Sequence, residues 1–365
     1  MRRREFITLV AGAVAAGPRI AHAQTFPSRT ITVVVPFPPG GVADYAARPL
    51  AAHLADTLGQ RVVVENKGGA GGGIGHAYVA RAEPDGYTIM TALPSLAVIP
   101  EGNRLAGKPV PYEMNQFVPL ARMFADPPIL AVKNSSPWNS FKDFIAAVKA
   151  NPGQIPYGTS GHLGTVHLAM EMFLTAAQLK MVHVPYQGGG PSFNALLSGQ
   201  VPVVPTLEST AKGQIDAGNV RILAQWGTER LPNFPHTPTL QEAGYPDVIY
   251  ILWTGVFAPA KTPARVTRIL RDAIGPFMQD KAVIERFEKA GSQVSYLDGP
   301  EFAQFLEADT DACSRWCARS ACLRCVRSGW DQPELPPSPW RTTYGPMCWT
   351  LRRRLEADIP FGLLN

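Results

Sequence analysis

Cysteine is missing from most of this 365-residue chain: residues 24–311 contain none, and all five cysteines lie at or after Cys313. A cysteine-free body suits the periplasm, where stray thiols would form unwanted disulfides. Long apolar runs are also missing. Apart from a short N-terminal segment, no stretch is long and apolar enough to cross a membrane. The chain is nevertheless long enough to bury a large core, and its length suggests two domains.

A basic surface is lacking as well, although the formal net charge is +5. Residues 1–23 carry +3 and residues 312–365 carry +4, so the body between them carries −2. A slightly acidic body offers no basic face to a polyanion. Nucleic acid is therefore not an expected partner.

Common catalytic and cofactor motifs fail on their spacing. The glycine-rich segment 68–75 nowhere satisfies G-x-G-x-x-G and precedes no Lys-Ser/Thr pair, so close packing is its favoured interpretation over ligand contact. Ser160 is followed by His162 where a nucleophile elbow needs glycine. His162 and His167 are five residues apart with no Glu between them, unlike a zinc helix. His183 alternates with apolar residues and is interpreted as structural, with a ligand role as the alternative. We therefore predict no metal site and no cofactor.

The N-terminus predicts export. A charged region at 2–4, an apolar small-residue region at 6–16 and Ala21-His22-Ala23 match a signal peptide over residues 1–23, cleaved near Ala23. Residues 3–7 also resemble the twin-arginine pattern, which leaves the export route open. The expected location is the periplasm.

Residues 312–365 differ from the rest of the chain. They hold all five cysteines and four of the seven tryptophans, lack lysine, and show no persistent helical or strand period. The Cys-x2-Cys pair at Cys322 and Cys325 raises zinc as an alternative, but the overall cysteine spacing fits no zinc pattern. The favoured hypothesis is a disordered or out-of-frame tail.

Short apolar runs alternate with amphipathic stretches from 26 to 311, which is typical of α/β domains. Strands are predicted at 30–35, 61–65, 87–91, 129–132, 155–158, 181–184, 201–205, 221–225 and 249–258. Helices are predicted at 42–58, 74–82, 140–150, 165–175, 191–198, 263–279 and 281–291. The extended segments at 129–132 and 221–225 bracket an inserted block. The expected division is lobe 1 at 24–126 and 227–311 and lobe 2 at 127–226, with a cleft between them.

A strand followed by a Pro/Gly turn and a helix is the most informative local pattern. Residues 31–35 are apolar, residues 36–41 form the turn, and Asp44 lies in the first turn of the next helix. Amides at a helix start have no partner within the helix and attract anions. An ordinary βα connection is the alternative. Asp44 has no partner acid, so holding the loop or stabilising the helix dipole is favoured over a role as general base.

Two further turns of this kind follow, at 157–165 and 184–190. In the first, Thr165 is expected to cap the helix, and nearby hydroxyl groups can donate to a carboxylate. The chain thus offers several anion-facing helix starts, one from the first lobe and at least two from the second.

Seven ordered blocks resemble the solute receptors of tripartite tricarboxylate transporters, also called Bug receptors. The blocks are residues 34–41 with Asp44 and Arg48, then 64–72, 84–88, 157–161, 184–189, 199–201 and 258–263. The resemblance covers about residues 26–311. It implies an α/β, two-lobed periplasmic-binding-protein fold (type II, Venus-flytrap) with a double-strand hinge.

The resemblance also implies a function. The expected protein is a monomeric receptor, not an enzyme, that hands a small carboxylate (a di- or tricarboxylate, an amino acid or an aromatic acid) to membrane subunits of the transporter. The implied ligand contacts are Pro38, Pro39, Gly40, Gly41 and Asp44 in lobe 1, Ser160, Gly161, Gly164, Thr165, Tyr186 and Gln187 in lobe 2, and, after the third strand, Thr91 and Ser95.

Two departures from the family pattern qualify that expectation. Pro202 and Thr206 lie in a stretch where the family often has an acidic residue, which leaves ligand specificity open. The final helix that begins at residues 300–302 is expected to end after about Asp311. An enzyme using Asp44 as base and a ligand-dependent partner of a membrane sensor remain the alternative functions.

Overall fold

The computed structural model describes the backbone of residues 26–319 and the side chains of residues 26–310. The predicted signal peptide and the tail beyond residue 319, with Cys322, Cys325 and Cys348, lie outside the described residues. Among the described residues, no helix is both long and apolar enough to cross a membrane.

Strands and helices alternate along the chain, as the sequence predicts. The elements are β1 (Ile31–Val35), α1 (Val42–Leu58), β2 (Val62–Asn66), α2 (Gly73–Ala80), β3 (Thr88–Ala92), α3 (Ser95–Leu105), β4 (Phe117–Asp126), β5 (Ile129–Lys133), α4 (Phe141–Ala150), β6 (Pro156–Thr159), α5 (Thr165–Ala176), β7 (Val182–Pro185), α6 (Gly189–Leu197), β8 (Val203–Thr206), α7 (Glu208–Asp216), β9 (Val220–Gln225), β10 (Leu252–Pro259), α8 (Ala264–Gln279), α9 (Lys281–Lys289), β11 (Val294–Asp298) and α10 (Gly299–Arg319).

Lobe 1 is built on a six-stranded sheet in the order β11-β4-β10-β3-β1-β2. β1 is parallel to β2 and β3, while β10 pairs antiparallel with β3 and β4. Successive side chains of β1 enter different cores: Ile31 and Val33 pack with α1 and α8, whereas Val34 packs with α3 and α10. Burial on both faces explains why β1 is apolar at every position except the partly buried Thr32.

Lobe 2 has a three-stranded sheet, β8-β5-β9, and a parallel pair, β6-β7. Its central strand β5 also divides its side chains between two cores. Leu130 and Val132 lie in one, with α4 and α5, and Ile129 and Ala131 lie in the other, with α6. The mixed sheet of lobe 1 and the smaller sheets of lobe 2, packed with helices, give the predicted α/β class.

The chain passes between the sheets at two places. The first passage joins β4 to β5 at residues 127–128. The second joins β9 to β10, and residues 231–248 in between pack on lobe 2, where Leu231, Leu240 and Val248 are buried. We keep the two-lobe division as a proposal, with the second boundary moved from 226/227 to about 249–251.

Several elements were missed from the sequence. β4 contains Pro119, which pairs with Phe257 beside a register shift, where a missing N–H is tolerated. α3 contains Pro100 inside the helix, and α7 and β11 lack a strong apolar period.

The final helix is longer than expected, because α10 continues past Asp311 to Arg319. Phe302 packs on Trp253 with ring centroids 5.5 Å apart, and the Trp253 indole donates to the Asp309 carboxylate at 2.9 Å. The expectation that this helix ends after about Asp311 is therefore wrong, and the helix covers the lobe 1 core.

Candidate functional site

The loop after β1 presents the start of α1. Gly41 is the N-cap of α1, and Gly40 has φ +89°, a left-handed conformation that favours glycine. A methyl group placed on either glycine would have no atom within 4 Å. The loop is thus open at the point where the first amides of α1 lack a partner within the helix.

Asp44 holds this loop rather than pointing away from it. Its carboxylate accepts hydrogen bonds from the Gly40 amide at 3.2 Å, from Arg48 at 2.8 and 3.0 Å and from Asn66 at 2.9 Å. Asn66 also donates to the Phe37 carbonyl at 3.0 Å. Burial alone would raise the pKa of Asp44, but these donors outweigh it and lower the pKa below its ordinary value. A carboxylate with so many donors is a poor general base.

The lobe 2 loop between β6 and α5 is held by neutral groups. The Gly161 amide donates to the Thr159 hydroxyl at 3.3 Å, and the Gly164 amide donates to the Gly161 carbonyl at 3.0 Å. Both amides were expected to face the ligand, yet both have partners within the loop. Ser160 is nearly buried beside them. The amides at the start of α5 are the ones that lack a partner within the helix.

Thr165 is not the helix cap that the sequence predicts. Gly164 is the N-cap of α5. The Thr165 hydroxyl instead accepts a hydrogen bond from the Ser95 amide of lobe 1, at 3.3 Å. Ser95 begins α3, so two helix starts from different lobes meet here. The Ser95 hydroxyl is buried and has no hydrogen-bond partner among the described residues.

Further contacts bring the two lobes together. A methyl group on Gly71 would lie 2.8 Å from the His162 carbonyl oxygen, and one on Gly188 would lie 2.9 Å from Pro38. Such distances leave room only for glycine. The two lobes therefore touch along the surface that carries the predicted contacts.

The remaining predicted residues lie around this junction. The buried Thr91 hydroxyl donates to the Ala43 carbonyl at 3.1 Å, which ties β3 to the start of α1. Tyr186 follows β7 and donates its amide to the Thr159 carbonyl at 3.0 Å, while Gln187 is exposed. Pro39 is exposed on the lobe 1 loop. Direct ligand contact by any of these residues stays a prediction.

Two arrangements were missed from the sequence. The first is the support that Asn66 gives to Asp44, from a position 22 residues later in the chain. The second is a group of three lobe 2 histidines, His162, His167 and His183, whose ring nitrogens lie within 4.8 Å of one another. Sequence spacing gave no indication of this group, because His183 reaches it from a neighbouring strand.

Known proteins are similar to this chain in sequence and in fold. A family described as "Tripartite tricarboxylate transporter family receptor" matches residues 46–318. The structure of the periplasmic binding protein BugD is 31% identical, with a TM-score of 0.74, over 80% of this chain and 97% of that one.

Two similar structures from Rhodopseudomonas palustris contain a bound acid. The protein Rpa4515 with adipate is 29% identical over 83% of this chain and 98% of that one, with a TM-score of 0.75. MatC with bound malate is 28% identical over 80% of this chain and 99% of that one, with a TM-score of 0.74. The chain belongs to the family of tripartite tricarboxylate transporter receptors, which are solute-binding proteins and not enzymes.

Proposed function

We propose that this receptor captures a small di- or tricarboxylate between its two lobes and passes it to a tripartite tricarboxylate transporter. The observation that carries the proposal is the meeting of helix starts at the lobe junction, where Ser95 of α3 donates to Thr165 of α5. The start of α1 is tied to the same region through Thr91. Helix starts favour anions through their amides and their dipoles. Adipate and malate in two relatives support a dicarboxylate.

Backbone amides are the expected donors to the ligand, because the nearby basic side chains are already paired with carboxylates. Arg48 is paired with Asp44 at 2.8 Å, and Lys67 is paired with Glu65 at 2.6 Å. The negative charge of the ligand is therefore balanced by amide and hydroxyl donors, whose bonds to a carboxylate are stronger than neutral hydrogen bonds. Asp44 acts as a positioning residue that shapes the lobe 1 loop.

The test compares two glycine variants. Gly41→Val fills the space at the start of α1, and Gly213→Val is the control, because a methyl group meets nothing within 4 Å at either position. Isothermal titration with malate, adipate and citrate should give one site in the parent protein and in Gly213→Val. The Gly41→Val variant should lose at least about tenfold in affinity, or about 1.4 kcal/mol.

Two outcomes would contradict the proposal. If none of the three acids binds, the ligand is not a small carboxylate of this kind. If Gly41→Val and Gly213→Val bind equally well, the loop is an ordinary βα connection. The matching amides of the acids serve as uncharged controls, and they should not bind.

Location, partner and oligomeric state complete the proposal. Residues 1–23 direct export to the periplasm, and N-terminal sequencing of the exported protein should begin near Gln24. A single receptor then delivers its ligand to the membrane subunits. A monomeric mass in solution, and ligand uptake that depends on added receptor, would support this. An uncleaved cytoplasmic product would count against export.

A further inference from the structure

Three histidines from three different segments meet inside lobe 2. His162 lies in the loop after β6, His167 lies in α5, and His183 lies in β7. One ring nitrogen of each lies within 4.8 Å of those of the other two. His167 and His183 stack with their ring centroids 3.9 Å apart, and the His162 ring centroid lies 5.4 Å from that of His167. Such a group of imidazoles is the usual donor set for a borderline metal ion.

Neighbouring groups leave donor atoms available on these rings. The Leu163 amide donates to Nδ1 of His167 at 3.3 Å, which places the ring proton on Nε2 and a lone pair on Nδ1. Nε2 of His167 lies 3.9 Å from the Glu171 carboxylate. A histidine that presents one nitrogen to a metal and donates the other to a carboxylate is a recurrent arrangement. In His183, the Thr159 hydroxyl contacts Nε2 at 2.6 Å, which leaves Nδ1.

Burial disfavours the charged form of all three rings. Burial lowers the pKa of His183 to about 3 and that of His167 well below its usual value. Burial and the nearby Lys108 lower the pKa of His162. Only a neutral imidazole can bind a metal, so an arriving ion need not displace protons. The partly buried Glu171 carboxylate accepts a hydrogen bond from the Tyr157 hydroxyl close by, and burial raises its pKa.

Coordination needs a small adjustment of the rings. Tetrahedral Zn–N bonds of about 2.0–2.1 Å put two ligand nitrogens about 3.3 Å apart, compared with separations of up to 4.8 Å here. His162 and His183 are only partly buried, so their rings can turn out of the stack and an ion can reach them.

We propose that His162, His167 and His183 bind one first-row divalent transition-metal ion of the zinc class, with Glu171 orienting His167. The ion replaces the weak Leu163–His167 hydrogen bond and leaves a fourth position for water. Because His162 lies within the loop that carries Ser160 and Gly164, the ion fixes that loop to α5 and β7.

The test uses the mature full-length protein with its thiols alkylated, so that the C-terminal cysteines cannot bind metal. Calorimetric titration with ZnCl2 should show one equivalent bound. Titration with CoCl2 should give the intense visible absorption of a tetrahedral Co²⁺ with nitrogen ligands. The same ZnCl2 addition should raise the melting temperature.

Matched variants locate the site. His162→Ala and His167→Gln should each weaken Zn²⁺ binding by at least about tenfold, since loss of even an outer partner of a metal ligand costs 10–100-fold. Glu171→Gln should weaken binding by about tenfold for that reason. His236→Ala is the control, because His236 is exposed on the same lobe, and it should bind as the parent does.

Three outcomes would overturn the proposal: no Zn²⁺ binding at millimolar ion, an octahedral Co²⁺ spectrum, or equal affinity in His162→Ala and His236→Ala. Melting curves in EDTA identify any variant that fails to fold. If His167→Gln fails to fold, the test relies on His162→Ala and Glu171→Gln. In these two proteins, Zn²⁺ should raise the melting temperature less than it does in the parent protein. Carboxylate affinity is measured separately, so failure here leaves the proposed receptor function untouched.

Discussion

Two loops near the lobe junction are held in place by different kinds of interaction. The lobe 1 loop, residues 36–44, depends on charge: Asp44 collects donors from Gly40, Arg48 and Asn66. The lobe 2 loop, residues 159–165, depends on neutral groups: a hydroxyl, backbone carbonyls and imidazoles. The same task, presenting a helix start to an anion, thus has two solutions with different sensitivity to mutation, acid and metal.

The largest expected effect comes from breaking the charged loop. Asp44→Ala leaves the Gly40 amide and the Asn66 amide without their acceptor, and we expect it to lower the free energy of unfolding by about 2–4 kcal/mol and to abolish carboxylate binding. Asp216→Ala is the control, because Lys212 and Asp216 form an i,i+4 pair like Asp44 and Arg48 but on the surface. It should cost less than about 0.5 kcal/mol. Urea denaturation measures both.

Equal costs for these two variants would show that burial adds nothing to the Asp44 network. The charged loop would then be no better held than an ordinary surface ion pair, and the contrast between the loops would fail.

Acid should destabilise the lobe 2 loop at a higher pH than the lobe 1 loop. The pKa of His183 is about 3 in the folded protein and about 6.5 in an unfolded chain, so the unfolded state binds more protons between these values. The contribution of His183 to the free energy of unfolding is complete above pH 6.5. It is lost as the pH falls, by at most about 1.4 kcal/mol per pH unit. The pKa of Asp44 is lowered below 3.8, so its contribution persists until the pH falls below that value.

Hydrogen exchange at pH 7 and pH 5 measures this difference. Protection factors, corrected for the intrinsic exchange rate, should fall in residues 159–168 and stay unchanged in residues 36–48. A parallel fall in both loops would mean that the lobes lose protection together, through global unfolding.

The smallest effect concerns a contact between the two lobes, that of Gly71 with the His162 carbonyl. Gly71→Ala places a methyl group 2.8 Å from the His162 carbonyl, whereas Gly107→Ala meets nothing within 4 Å, and the two glycines have φ of +66° and +67°. Both variants therefore carry the same backbone strain, about 1 kcal/mol, and their difference isolates the steric clash. We expect Gly71→Ala to bind ligand several-fold more weakly than Gly107→Ala in calorimetry. Equal affinities would indicate that this contact is not needed when the ligand is bound.

The sequence predicted an element well where the residues that define that element are adjacent in the chain. The span 42–58 was predicted to the residue for α1, because its apolar period and its Gly59 stop are local. The same holds for the Pro/Gly turn before it. β4 was missed because Pro119 interrupts an otherwise apolar strand, and only the irregular pairing with β10 accommodates it. The site was predicted as loops, but which amides are already bonded depends on how each loop folds, since Gly161 and Gly164 donate to acceptors within their own loop.

What the sequence determined by itself are the strand–turn–helix segments at 31–58, 157–176 and 182–197 and the family, because each depends on residues that are adjacent in the chain or on ordered blocks. The tertiary structure decided the roles of the side chains. Asp44 became a loop support through Asn66, Thr165 became a partner of Ser95, and three separate histidines became one cluster. The physical reason is that hydrogen bonds and metal geometry act over about 2–4 Å, and only folding brings residues so distant in the chain within that range.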